Sequence, residues 1–331
     1  MRLHSKLITF IIKKAFFLFY CFPAVCCFSQ NNASIIVPRE LQVPTDSLPS
    51  ASPQKLWIVG AGTVAVYGGS LIVLNKAWYA NYARTSFHTF NDNKEWLQVD
   101  KIGHAWSVYN AARANSSLWE WAGLPKKKAA LAGGLSSMLY LTTIEYLDGR
   151  STKWGWSWGD MAANVTGSAL FMAQELTWQE QRVQFKFSFH TKKYDGAELK
   201  ERTEDLFGKS WYEQMLKDYN QQTYWLSANL KSFFKESNIP SWLNVAVGYG
   251  ADGMFGGFEN KWENENGGTV TRYDIPRKRQ FYLAPDIDFT KIKTNKKWLK
   301  TAFQLLNAFK CPAPALMIDS KGKMKGYLFY F

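Results

Sequence analysis

Cysteine all but disappears after the first thirty residues: of four in 331, Cys21, Cys26 and Cys27 come early and Cys311 stands alone. With one thiol left, no internal disulfide can staple the remainder, and stability must come from packing. Histidine is as scarce, at four. No HExxH, no Glu-x-x-His pair and no CxxC occurs, so there is no zinc or di-iron signature, no metal is assigned, and no strong motif requires a cofactor. A GxxxxGK[ST] phosphate loop is missing as well. The glycine-rich GYGADGMFGG follows a strand pattern, but no helix or ribose-binding acid completes a nucleotide motif, so it reads as a turn. Lys and Arg are dispersed, without a dense basic helix, which sets nucleic acid aside as a partner.

What is present points to a membrane boundary. Aromatic residues make up 16% of the chain and include 15 Trp. Such rings are favoured where one end must be dry and the other wet. Formal net charge is +13, and it stays at +9 without Arg2, Lys6, Lys13 and Lys14. That excess suits an anionic lipid or glycan. Residues 1–29 read as a secretory signal: a basic start, an apolar run from Ala15 to Phe28, and Ser29 before the cut. Acylation after cleavage before Cys26 or Cys27 is the alternative, although Pro23-Ala24-Val25 makes a poor lipobox. Residues 30–54 are polar and proline-bearing and read as a flexible tether.

Leu56 to Leu74 then gives 19 residues without a charge, with Trp57 at one end and Trp78-Tyr79 at the other. A helix of that length just spans a bilayer core, and it suits a buried bundle position equally. Further helices are expected from Asp100 to Ser116, from Lys126 through Ile144 with Gly149 as C-cap, and from Ser157 to Trp178 with Ser157 as N-cap. Val183 to Phe189 alternates with period two and predicts a strand. Helices are expected at Leu199–Tyr219 and Thr223–Phe234, and strands at 243–250, 279–289, 315–318 and 325–331. Lys296 to Lys310 reads as an amphipathic helix with Trp298, Leu299, Phe303 and Leu306 turned inward. Asp286 and Asp288 are expected on a solvated sheet face. The terminal GYLFYF resembles the closing strand of an outer-membrane barrel, but the strands are too few to close one, so an ordinary edge strand is expected. The predicted fold is α+β: an apolar helical bundle over 55–180, then an antiparallel sheet with inserted helices over 181–331.

Ionisable and amide residues sit inside the apolar helices at helical spacing. Asp100 and His104 lie four apart, Glu145 and Asp148 three apart, and Asp160 and Asn164 four apart, so each pair shares a face. If the helices pack antiparallel, these residues converge near one end. Three readings stay open. One is a register-fixing polar network with Arg150 as counter-ion. Another is metal or hydrolytic chemistry with His104, Asp100, Glu145, Asp148 and Asp160 as candidate catalytic residues. The third is ligand binding, of an anionic lipid or glycan, through Lys101, Arg150, Trp154, Trp156, Trp158 and Asn164.

The runs DKIGHAWSVYNAAR from Asp100, IEYLDGRSTKWGWSWGDMAANVTGSALF from Ile144, LKDYNQQTYWLSANL from Leu216 and NVAVGYGADGMFGG from Asn244 resemble the YfiM-like family. That family is a domain of unknown function described as predicted periplasmic lipoproteins, and the resemblance covers roughly residues 55–331. The order DKxxH, ExxDGR, SxxDxxxNxxG is similar to that of VanZ-like membrane proteins. This second resemblance carries Asp100, Lys101, His104, Glu145, Arg150, Asp160, Asn164 and Gly167. Both imply an envelope location, periplasmic or membrane-associated, and neither implies a reaction. An uncharacterised membrane-associated envelope protein is therefore expected. The alternatives are an envelope hydrolase or metal-dependent enzyme using His104, and a barrel-like transport or assembly protein.

Overall fold

A computed structural model of the protein describes residues 51–75, 79, 82–264 and 267–331. The expected signal, the three early cysteines and the tether up to residue 50 lie outside the described residues. The tether's last residues, Pro53 and Gln54, belong to the first helix.

Four helices run up and down: α1 (Pro53–Leu74), α2 (Val99–Trp121), α3 (Lys126–Asp148) and α4 (Trp158–Thr177). Helix α2 continues a turn and a half past the expected Ser116, because nothing between Ser117 and Trp121 breaks a helix. Proline at 125 then starts α3, where a missing N–H costs nothing. Ser157 caps α4 by accepting the Asp160 N–H at 3.0 Å. The helices approach closely through glycine. A Cβ on Gly133 would stand 2.6 Å from the Ala112 carbonyl oxygen, and one on Gly167 would stand 2.1 Å from that of Ala105. These contacts fix α2 between α3 and α4.

Helix α1 lies against this trio by a polar seam. Thr63 donates to Asn115 at 3.3 Å, and Tyr67 stacks on Tyr140 with ring centroids 4.4 Å apart. Only Val59 of α1 is buried. Among the described residues α1 alone is long and apolar enough to cross a membrane.

The second half is a six-stranded antiparallel sheet in the order β1-β2-β3-β6-β7-β8. Its strands are β1 (Val183–Phe189), β2 (Gln222–Asn229), β3 (Leu243–Asp252), β6 (Lys278–Ile287), β7 (Ala313–Asp319) and β8 (Met324–Tyr330). A small ribbon, β4 (Lys261–Glu263) with β5 (Thr269–Thr271), stands apart. The helix expected at Leu199–Tyr219 is two, α5 (Ala197–Phe207) and α6 (Trp211–Lys217), broken at Gly208 with φ +89°. The helix expected at Thr223–Phe234 is instead β2 followed by the single turn α7 (Leu230–Phe233). Alternation decided it: Tyr224, Leu226 and Ala228 face one side, and Thr223, Trp225, Ser227 and Asn229 the other. Helix α8 (Lys297–Leu306) forms as expected, but Trp298 and Leu306 are exposed rather than inward.

The sheet curls until β1 meets the segment that leads into β7. The Phe187 N–H donates to Ala308 at 3.0 Å and the Lys310 N–H to Phe187 at 2.9 Å, joining β1 to the segment just ahead of β7. The face inside the curl is dry and mixed: Trp225, Ala246, Tyr282, Ala284, Ala315, Met317 and Tyr330 pack there beside buried polar groups. Lys186 pairs with Asp286 at 2.9 Å, Ser227 donates to Asp286 at 2.6 Å, and Gln184 donates to Asp288 at 2.6 Å. Asp286 and Asp288 are therefore buried, which corrects the solvated face expected for them. A lone sheet would wet one face; curling closes that face around its own partners instead. On the outer face, Phe185, Phe187 and Tyr224 pack on Trp106 and Tyr109 of α2, joining sheet and bundle in one core.

Candidate functional site

At the end of the bundle where α2 and α4 begin and α3 finishes, buried charges meet. Lys101 is at the centre. Its Nζ lies 2.6 Å from Asp92, 3.1 Å from Asp100 and 2.8 Å from Asp160. Burial alone would lower this ammonium's pKa, but Asp100 and Asp160 raise it above its ordinary value. Lys101 is thus engaged by three carboxylates. Ser157 joins the same group, donating to Asp92 at 2.6 Å.

One helical turn on, His104 faces a second group. Its Nδ1 lies 3.3 Å from Asn164 Oδ1 and 3.6 Å from Glu145 Oε1, and its Nε2 is 3.8 Å from Asp160 Oδ1. Asp100, which shares a helical face with His104, pairs with Lys101. Asp160 is shared by both groups. Glu145 is 1% exposed, and its Oε1 has no hydrogen-bond partner among the described residues. Burial first, then the charges of Asp160 and Asp148, push its carboxyl up to about 9, so it is protonated at neutral pH. Asp148 is raised to about 6, chiefly by burial, while a hydrogen bond from Tyr79 at 2.6 Å opposes the shift. Glu95 is pushed up to about 7 by burial and by Asp100. The cluster holds more carboxylates than cations, and it keeps protons to compensate.

Ligand atoms of His104, Glu145 and Asp160 lie within 4.8 Å of one another, close enough to hold one metal ion. Asp92, Asp100 and Asp160 meet the same criterion, but the Lys101 ammonium already sits among them. Protonated Glu145 beside His104 also has the form of an acid–base pair. Asp148, at the α3 terminus, accepts its hydrogen bond from Tyr79 and acts on the cluster through its charge. Asp92 was hidden in an Asn-Asp-Asn turn, where nothing marks a lysine ligand. The cap role of Ser157 also leaves out a signal: Gly155 to Gly159 spells GxSxG, the pattern of a nucleophile elbow. Ser157 is buried and spent on Asp92 and the α4 cap, so the segment works here as a helix start.

Arg150 is no part of this network. It lines a cavity of about 170 Å³ on the far side of Asp148, with Arg84, Tyr79, Tyr82, Tyr146 and Asn75. Arg84 and Ser151 meet in a short backbone bridge, and the Thr85 N–H donates to Arg150 at 3.0 Å. Neither arginine side chain has an ion-pair partner among the described residues. The three tryptophans divide. Trp154 packs edge-on to Tyr79 and Tyr82 with Lys153 over its ring, whereas Trp156 and Trp158 pair with each other at 5.4 Å. Arg84 and Tyr82 lie between the first and second helices, where no sequence pattern marks a site.

Residues 88–174 match the model of the family described as predicted periplasmic lipoprotein (DUF2279). The match covers the polar centre and stops before the sheet, so it is narrower than the resemblance over 55–331. It agrees with the expected envelope location. No curated protein and no solved structure matches the chain.

Proposed function

We propose that this is a membrane-seated envelope protein whose bundle receives an anionic lipid headgroup in the Arg84–Arg150 cavity. One observation carries the reading: two arginines with no ion-pair partner among the described residues stand in a tyrosine-walled cavity at the end of an exposed apolar helix. At 22 residues and about 1.5 Å per residue, α1 is about 33 Å long, which matches a hydrocarbon core of about 30 Å. Aromatic residues gather at both of its ends. Trp57 and Trp121 stand exposed at one, and Tyr82, Phe87, Tyr146 and Trp158 at the other. The bundle also offers lipid a leucine stripe, Leu131, Leu135 and Leu139 on α3. A guanidinium at that level is where a phosphate headgroup lies, and two of them fit it bidentately.

The test is binding of the full chain to vesicles with and without phosphatidylglycerol. Each of Arg84→Gln and Arg150→Gln should weaken the anionic preference about fivefold, the equivalent of about 1 kcal/mol per basic residue at a membrane surface. An unchanged preference in the double variant would defeat the reading. Competition by a soluble anionic glycan at equal potency would reassign the cavity to envelope polysaccharide.

A second reading, an envelope hydrolase or metal-dependent enzyme, draws support from His104 lying between Glu145 and Asp160. Metal analysis of the purified protein tests its metal-dependent form. Stoichiometric metal that is lost in His104→Ala would favour it, and a metal-free protein indifferent to chelator would end it.

A further inference from the structure

The curled sheet encloses a mixed interior, in which buried ion pairs lie beside Trp225, Tyr282 and Met317, yet it leaves an apolar face open outside. An antiparallel sheet in water turns its polar face outward and its apolar face to a core. Here the Lys186–Asp286 pair and its partners are enclosed, while the outer face beyond the bundle is apolar and open. Val247 is 55% exposed, Leu283 49% and Leu316 59%, on three neighbouring strands. Val245, Phe281 and Ile318 continue the same face. Apolar residues turned outward on adjacent strands are the arrangement of sheet surfaces that meet lipid.

Length decides how such a face could meet it. The apolar positions run from Leu243 to Tyr249 on β3 and from Phe281 to Ile287 on β6. Six residue steps at about 3.3 Å each give about 20 Å. That is shorter than the band of about 25 Å on a membrane-crossing barrel, and strand tilt shortens it further. Lysines stand at both ends of the band: Lys321 and Lys323, beside the Lys278–Asp319 pair, at one, and helix α8 with its preceding loop at the other. There Lys293, Lys296, Lys297 and Lys300 surround Trp298, which is 62% exposed. A short apolar face rimmed by lysines complements a leaflet whose headgroups are anionic.

We infer that the outer face of the sheet lies flat on an anionic lipid leaflet, its apolar band among the acyl chains and α8 at the headgroups. The inference rests on the membrane seating proposed above and extends it to the half of the chain outside the family match. It is tested on the full chain with single environment-sensitive labels at Val247→Cys, Leu283→Cys and Leu316→Cys, the native cysteines replaced by serine. The chain is reconstituted in phosphatidylglycerol–phosphatidylethanolamine vesicles. Leu135→Cys on α3 reports the bundle, and Lys209→Cys reports water. The three sheet labels should be quenched by nitroxide lipid several-fold more than the Lys209 label, and shielded from aqueous iodide. Charge reversal by Lys297→Glu with Lys300→Glu should reduce that difference. If only the Leu135 label meets lipid, the sheet inference falls and the membrane seating stands. If no label meets lipid, both fall. Sheet labels shielded from lipid and iodide alike would show a protein partner or second copy on this face, and would overturn the inference.

Discussion

Glu145→Gln should make the protein more stable at alkaline pH and flatten its stability profile. In the folded protein this carboxyl titrates near 9, against an ordinary value of 4.5. Between those values the native state holds a proton that the unfolded chain has released. Stability therefore falls as pH rises, by up to about 1.4 kcal/mol per unit, and levels off above the folded value. Asp148, raised to about 6, and Glu95, raised to about 7, add the same sign lower down. From pH 7 to 9 the difference between wild type and variant reports Glu145. Two units at the full slope would be about 3 kcal/mol, and the slope tapers near the folded pKa, so about 2 kcal/mol is expected. Glutamine keeps the shape and cannot ionise. Urea unfolding of the full chain in detergent, followed by Trp fluorescence at several pH values, gives both profiles, provided the m-value is constant. Parallel profiles for wild type and variant would refute the reasoning, since Glu145 would then be ionised in the folded state.

Lys101→Met should destabilise by about 3–5 kcal/mol, because it leaves Asp92, Asp100 and Asp160 buried together without their cation; denaturant midpoints report it. Asp160→Asn keeps the α4 cap and loses the carboxylate shared by Lys101 and His104, so it should cost stability without reducing helix content by circular dichroism. Gly167→Ala puts a methyl against the Ala105 carbonyl and should cost about 1–3 kcal/mol, with an altered near-ultraviolet spectrum if α2 and α4 separate. Lys186→Met alone should destabilise strongly by stranding Asp286, whereas Lys186→Met with Asp286→Leu should recover much of the loss.

Periodicity carried most of the helical half. Residues at helical spacing named the converging faces, and Ser157 marked its helix start, because these are local properties. The partners of those residues were another matter. Arg150 resembles a counter-ion by sequence proximity, yet it leaves the network because α3 ends at Asp148 and the chain turns outward at Gly149. There a Cβ would strike Phe87. Lys101 takes its place only because the turn before α2 returns Asp92 to the Asp100–Asp160 end. No spacing within 92–101 reports that return.

The sheet shows a deeper limit. The alternation from Gln222 to Asn229 was readable, but it lost to a helical reading because Leu226, Leu230 and Phe233 also fit helical spacing. Where alternation was recognised, at Leu243–Gly250 and around Asp286, it separated two faces without saying which is wet. For Asp286 and Asp288 the usual assignment of polar residues to water is wrong, because the curl encloses them with Lys186, Ser227 and Gln184. Closure depends on a long-range contact, Phe187 with the 308–310 segment, that no local pattern encodes. Once the inner face is closed, the outer apolar residues beyond the bundle are the open ones, and they are the residues on which the proposed lipid contact rests.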